Sequence, residues 1–381
     1  MAESQKQSLK DALLEADEKY TKTHSLSLLG MTALTTPNYI NSMRSTMFTS
    51  HLKQFLNLLH PEFPYVFMNA ENVVGKHSSG YKKVENKVEV YRKIVKFEDI
   101  LDNPNIYKLF IFDKKNKKFD VITRKKVEDL TENFGFDYNN EVIDSYKEGD
   151  TIPKDTVLYK STSYDEDMNY SYGKNVTVMY TLDPYTSEDA AVASESLAKE
   201  FTSIETEVIT IGLNDNDYLV NLQGNKDEYK PLPDIGDVVS GHLAAVRRLF
   251  NNQLLYDFKS DTLNKIQKGD IVYYVDDNNE IIDYTIYNNS ENMVDNDFTR
   301  QINKYIRGQE KYYKEIIETC EDIFDTGFDY SSEIDYLYKR AKDFIDKKKK
   351  WKEGDSAFSN MVIEVTVRKV VPLAKGQKLT G

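Results

Sequence analysis

The sequence predicts an α+β protein with its strands in the middle and its helices towards either flank. Three observations carry that prediction. Apolar residues alternate with period two through KVEVYRKIVKF (87–97) and on both sides of DKKNKK (113–118). Three Gly-Asp pairs, Gly149-Asp150, Gly236-Asp237 and Gly269-Asp270, each stand just before a β-branched run, the kind of short element from which small barrels are built. Residues 38–59 instead repeat their apolar positions at three- and four-residue spacing, and residues 292–350 are helical in pattern and strongly charged.

Taken in order, residues 1–20 read as an exposed helix with a thin stripe of Leu9, Ala12, Leu13 and Ala16. Pro37 precedes a better amphipathic helix, in which Ile40, Met43, Met47, His51, Phe55 and Leu58 share one face. A methionine pair at this spacing is more often core than ligand contact. From Pro61 to Val95 the period shifts towards two. IYKLFIFDKKNKKFDVITR (106–124) is a hairpin with a polar turn, and YKEGDTIPKDTVLYKST (146–162) reads as strand, turn, strand. Val176, Val178 and Tyr180 form a strand-like run leading into the turn Asp183-Pro184-Tyr185-Thr186-Ser187, then the acidic pair Glu188-Asp189, then a small-residue helical stretch. His242–Phe258, with Leu243, Val246, Leu249, Phe250, Leu254 and Leu255, is expected to be a short helix at the tip of a β module. MVIEVTVRKVVPLAKGQKLTG (361–381) is a strand, a Pro turn and then Lys378.

Composition narrows the function classes. The 381 residues suffice for two or three domains with cores. There is no apolar run long enough for a membrane span and no apolar leader at the N-terminus, so the expectation is a soluble protein of a cell interior or of a particle. One cysteine, Cys320, excludes an internal disulfide and a cysteine metal cluster. A net charge of −13 argues against tight, independent binding of nucleic acid, although a local basic face remains compatible with it.

Few residues suggest chemistry by themselves. Glu188 and Asp189 would face opposite ways on a strand and converge only at a turn or helix start, which Pro184 and Ser187 allow. Such carboxylates can act on the waters of a hard cation; equally, an acidic pair in a first helical turn is what the helix dipole favours. Lys378 can contact a phosphate as a compact charge, or be an ordinary surface lysine. No two of the five histidines stand at a metal-ligand spacing, and G-x-S-x-G does not occur.

Five stretches, in order, resemble the β (second-largest) subunit of multisubunit DNA-directed RNA polymerases. PNYINSMRSTMFTSHL (37–52) is similar to the family's R-x-x-M-G-x-x-M helix near downstream DNA, with Met43 and Met47 matching. PYVFMNAENVVGKHSSG followed by KVEVYRKIVKF resembles P-x-V-G-T-G-M-E-R and its trailing strand; Glu71 matches the acid, and Asn72 replaces the arginine. YKEGDTIPKDTVLYKST resembles V-x-x-G-D-x-V-x-x-G-D-x-L-A-D-G-x-S. NVTVMYTLDPYTSEDAAVASESL (175–197) is similar to N-x-x-V-A-x-M-P with its E-D-[AS]-I pair, matching at Asn175, Pro184, Glu188, Asp189, Ser194 and Glu195. VIEVTVRKVVPLAKGQKLTG resembles V-K-V-x-x-A-x-x-R-x-I-x-x-G-D-K-M-A-G, with Lys378 on the active-centre lysine and Gln377 in place of the acid.

The resemblance implies a helical fork-like region (1–60) and a hybrid-binding part of a double-psi β-barrel carrying the Glu-Asp pair (61–205). It further implies an inserted flap-like module (206–291), a peripheral charged helical part (292–358) and a returning barrel strand (359–381). It implies active-centre roles for Glu188, Asp189 and Lys378, and nucleic-acid or nucleotide proximity for Arg44, Glu71 and Asn72. A flap tip of Leu249, Phe250, Leu254 and Leu255 would dock a promoter-specificity factor. The implied metal is Mg2+, held mainly by a β′ fragment; the implied partners are β′ and other β fragments, DNA template, RNA and nucleoside triphosphates, with no membrane. The family's R-H-G-N-K-G would follow Gly381, so the resemblance implies a split subunit of the giant-phage type with that motif on another fragment. An intron or a truncated frame gives the same ending. Such an enzyme works in the host cytoplasm or travels inside the virion. The alternative is a non-catalytic phage protein of small β-barrels that binds or assembles partners.

Overall fold

The computed structural model describes Asn41, Met43, Arg44, Met47 and residues 57–65, 79–101, 105–131, 134–171, 173–186, 190–214, 216–225, 227–248, 265–288, 299–346, 352–353, 356–357 and 361–377. In chain order its strands and helices are β1 (Tyr81–Lys83), β2 (Val88–Val95), β3 (Tyr107–Asp113), β4 (Lys118–Arg124), β5 (Val127–Thr131), β6 (Phe134–Asn139), α1 (Glu141–Asp144), β7 (Thr151–Ile152) and β8 (Val157–Ser161). There follow α2 (Glu195–Glu200), β9 (Thr202–Leu213), β10 (Asp217–Leu219), β11 (Val238–Arg248) and β12 (Ile271–Asn288). The chain continues with α3 (Arg300–Asp325), β13 (Asp329–Tyr330), α4 (Ser332–Ile345), β14 (Lys352–Glu353), β15 (Ser356–Ala357) and β16 (Met361–Pro372). The result is a mixed α+β, sheet-dominated molecule.

These three Gly-Asp pairs fold alike. In each, the glycine takes a positive φ (83° at Gly149, 96° at Gly236, 109° at Gly269), the region that residue i+2 of a type II turn requires. The aspartate N–H then bonds the carbonyl three residues back: Asp150 to Lys147, Asp237 to Asp234 and Asp270 to Gln267, all at 3.1 Å. Each carboxylate also accepts the N–H of that same residue, at 2.8 Å, 2.9 Å and 2.6 Å respectively. The closed ring ends one segment and launches the next strand, which is why β7, β11 and β12 begin one residue after their aspartates. Gly376-Gln377 repeats the device: Gly376 has φ 90°, Gln377 N–H bonds Ala374 O at 3.3 Å, and the Gln377 amide oxygen accepts Ala374 N–H at 2.7 Å.

A smaller sheet, in the order β13-β4-β3-β2-β7, lies between two layers. The β3–β4 hairpin is in continuous register from Tyr107↔Arg124 to Asp113↔Lys118. Val88 and Val90 of β2 face one side, with Leu109, Ile122, Ile143, Ile152 and Leu158. A register shift between Val90 and Arg92 inserts one residue, so Ile94 turns to the other face, against Phe110, Phe119 and the helix residues Tyr312, Ile316, Ile323 and Ile334. The larger sheet runs β1-β8-β6-β9-β16-β12-β11-β10, with β5 on β6. Among the described residues this path stays open from β1 to β10 rather than closing on itself.

Helix α3 joins the two sheets. Ile302, Tyr305 and Ile306 in its first half enter the core of the large sheet with Ile281, Tyr284, Val365 and Val367; its second half covers the small sheet. Between them Gly308 admits Phe97, whose ring carbon would lie 3.0 Å from an added Cβ. A buried ion pair reinforces the junction: Lys96 Nζ lies 2.6 Å from Asp283 and donates to Tyr284 O at 2.9 Å. No helix among the described residues is long and apolar enough to cross a membrane.

Several expectations need correction. His242–Arg248 belongs to β11, not to a helix: Leu243, Ala244, Ala245 and Val246 are buried on both faces, and a strand covered on both sides has no period-two signature. The boundary at 205/206 falls inside β9, which pairs continuously with β16 from Thr202↔Pro372 to Leu213↔Met361. Strand β12 runs unbroken through the polar Asp276-Asp277-Asn278-Asn279, with Asn278 at φ 59° beside the irregular register with β11. Residues 57–59, assigned to the end of the 38–59 helix, are not helical, and Met43 is 80% exposed with Met47 also exposed, so the pair is not core. The tip residues Leu249, Phe250, Leu254 and Leu255 lie outside the described residues.

Candidate functional site

The segment from Asn175 to α2 is held at its ends and bare in between. At its start, Asn175 works as a clamp on the strand of chain beside it. Its Nδ2 donates to Phe63 O at 2.8 Å and to Glu62 Oε2 at 3.3 Å, its Oδ1 accepts Tyr65 N–H at 2.9 Å, and its own N–H reaches Glu62 Oε2 at 3.1 Å. One amide side chain thus satisfies several backbone groups that no strand partner covers. Next to it Lys174 Nζ pairs with Glu200 at 3.0 Å and with Glu62 at 3.8 Å, tying the start of the segment to the end of α2.

From Val176 onward no partner strand forms among the described residues. The strand-like alternation of Val176, Val178 and Tyr180 does not become a strand among the described residues, because nothing lies alongside it to pair with. Val178, Met179, Tyr180, Leu182 and Tyr185 are all exposed, Tyr180 at 97% and Tyr185 at 92%. The Pro184 turn does form: Asp183 Oδ1 accepts Tyr185 N–H at 2.7 Å, and Thr186 Oγ1 donates to Asp183 O at 3.0 Å. The expected helix is shorter than its small-residue composition suggests, starting only at Glu195. Ser194 caps it, accepting Leu197 N–H at 3.2 Å, and Glu195 pairs with Lys199 one turn on at 2.7 Å.

Helix α2 then meets the far end of the chain. Ala198 O accepts Leu373 N–H at 3.2 Å, and Thr202 opposes Pro372 in the β9–β16 register. The Gly376-Gln377 turn follows directly. The fold therefore brings together the Asn175–Glu200 and Met361–Gln377 stretches, which are far apart in sequence. Of the candidate residues, Glu188, Asp189, Lys378, Glu71 and Asn72 lie outside the described residues. Arg44 is described; it is exposed, and its guanidinium lies 3.7 Å from Met47 Sδ on the same stretch. Among the described residues no three His, Cys, Asp or Glu side chains converge as a metal-binding set.

Sequence reasoning missed the ion pairs that cross-link the large sheet. Arg368 of β16 donates to Asp137 at 2.6 Å and to Glu280 at 2.8 Å, and Lys126 joins the same Glu280. Burial pushes the Glu280 carboxyl up, but these two cations outweigh it and hold the group below its usual range. Arg247 binds Asp270 through two bonds of 2.7 Å. Each pair joins residues distant in sequence, so no local pattern announces it.

No family model matches the chain. Over 205 residues, 52% of its length, the chain is 26% identical to the DNA-directed RNA polymerase subunit beta of Listeria welshimeri. The same identity and coverage hold for those of Listeria monocytogenes and Listeria innocua. The matched region spans 16% of the length of these relatives. The chain is thus distantly related to bacterial RNA polymerase β subunits.

Proposed function

We propose that this chain serves as a β-subunit part of a DNA-directed RNA polymerase, of the split, giant-phage type. It would contribute to the active centre and the flap together with β′ and other β fragments, one carrying R-H-G-N-K-G. The observation that carries this reading is the meeting of α2 with the end of β16, since these are the two stretches that resemble the family's active-centre segments. The distant relationship to bacterial β subunits supports it independently. In this reading β9, β16 and the 175–200 stretch belong to a double-psi barrel completed by another polypeptide, and the bare run of Val178, Met179, Tyr180, Leu182 and Tyr185 is covered on assembly. A run of exposed apolar side chains of that length is costly in water and suits a buried contact.

The ligand set for Mg2+ belongs, in this proposal, to β′. Bound there, magnesium stabilises charge on the attacking and leaving oxygens of nucleotidyl transfer. This chain's residues position and screen: Glu188 and Asp189 orient water in the outer sphere, and Lys378, next to the Gln377 turn, contacts a phosphate or the RNA 3′ end. Arg44, Glu71 and Asn72 lie near template or nucleotide, and the 249–255 region docks a promoter-specificity factor.

Asp189→Ala and Lys378→Ala test the assignment in the assembled enzyme. Each is expected to slow elongation at least tenfold while leaving co-purification of the partner fragments intact. Normal elongation by both variants contradicts the assignment. The net charge of −13 favours the second reading, a non-catalytic binding module, and a stable assembly with no RNA synthesis from the unmutated chain supports that one.

A further inference from the structure

Among the described residues, two strands of the large sheet have a side that no neighbouring strand covers along much of their length, and the protein treats the two differently. Beyond its pairing with β11, β12 has its Ile282, Tyr284 and Ile286 backbone groups facing inward, and side chains satisfy them. Asn105 donates to Ile282 O at 3.2 Å and Lys96 to Tyr284 O at 2.9 Å. The Gln309 amide takes both groups of Ile286, each at 3.1 Å. That edge is closed.

The described residues leave the edge of β9 open. All of β9 pairs with β16 on one side. On the other, Thr202 O accepts Leu59 N–H, and Glu205 and Ile204 face Phe134 and Gly135 of β6; beyond that point no strand follows among the described residues. Backbone direction alternates along an antiparallel strand. Because Thr202 points outward, Val208, Thr210 and Gly212 also present N–H and C=O outward, and none of these groups has a partner among the described residues. Residues 206–213, TEVITIGL, contain no lysine, arginine or proline, the residues that usually blunt an edge. Val208 is 56% exposed and Thr210 is exposed as well.

We propose that this edge receives an additional strand from a different, basic polypeptide, extending the large sheet by β-augmentation. The backbone groups dictate an extended occupant, and the β-branched residues Val208, Ile209 and Thr210 favour it. Charge decides against a second copy: two chains of net charge −13 repel each other, and exposed Glu207 selects a lysine or arginine across from it. The inference does not depend on the polymerase reading.

The test uses the full chain and a fluorescent peptide of alternating valine and threonine with lysines at both ends. Anisotropy is expected to show saturable binding, and hydrogen exchange to show new protection confined to 208–213. Val208→Lys should weaken binding at least tenfold while keeping the melting temperature of the unmutated chain, and Thr210→Pro, which removes an outward N–H that β16 does not use, should abolish binding with β9 still paired to β16. Absence of binding, or equal binding by both variants, overturns the proposal. A dimer in light scattering that Val208→Lys dissociates overturns it too, because the occupant is then a second copy.

Discussion

At the scale of single residues, buried charge and burial itself set the testable chemistry. Asp270 has a nearly inaccessible carboxylate facing Arg247. Burial alone would push its carboxyl up, but the two Arg247 bonds and the Gln267 N–H outweigh burial and hold it below the usual carboxylate range. Its folded value is lower than its unfolded one. Its contribution is therefore complete above about pH 4 and fades as pH falls through the folded value. Asp270→Asn is expected to cost about 3 kcal/mol at pH 7 in urea unfolding, with the gap to the unmutated chain closing under acid; a gap independent of pH contradicts the pairing. Cys320 is fully buried among Tyr312, Ile316 and Ile323, and burial pushes its thiol up to about 12. It should stay unreactive towards a thiol reagent in the native protein and react fully once unfolded.

At the scale of elements, local chemistry was legible and long-range pairing was not. The Gly-Asp turns could be read from four residues because the positive φ, the backbone bond and the carboxylate bond all lie within them. Gly236→Ala therefore costs backbone strain alone, since nothing crowds its Cβ; about 1–2 kcal/mol is expected in thermal unfolding. Gln377→Asp should be neutral, and Gln377→Ala should lose about 1 kcal/mol, if the glutamine performs the aspartate's task. The β3–β4 hairpin was equally legible from its alternation. By contrast, β9 was cut by a domain boundary that came from the family resemblance, while its Glu205 pairs with Lys369 across the strand on β16. The second half of β11, from His242, read as helix because both its faces are buried. Nothing local distinguishes these cases. The candidate site was visible only through family resemblance; its clamp, Asn175, does its work through residues 62–65, which spacing alone could not pair with it.

At the scale of the whole molecule, two sheets share one helix. The first half of α3 belongs to the large core and its second half to the small one, with Lys96 and Asp283 bridging between them. The two cores should consequently unfold together. Ile316→Ala, which opens a cavity under the small sheet, is expected to cost about 2–5 kcal/mol and to lower one shared transition rather than split it; two separate calorimetric transitions contradict that coupling. The large sheet also carries, at the end of β16, the region where α2 meets it, beside the exposed run of apolar side chains from Val178 to Tyr185. An account in which another polypeptide covers that run stands or falls on assembly and activity together. The most direct measurement is a tagged purification of this chain from cells that make its partners, followed by an assay of promoter-independent RNA synthesis. Co-purifying β and β′ fragments with magnesium-dependent RNA synthesis is the result predicted; a lone, stable and inactive chain contradicts it.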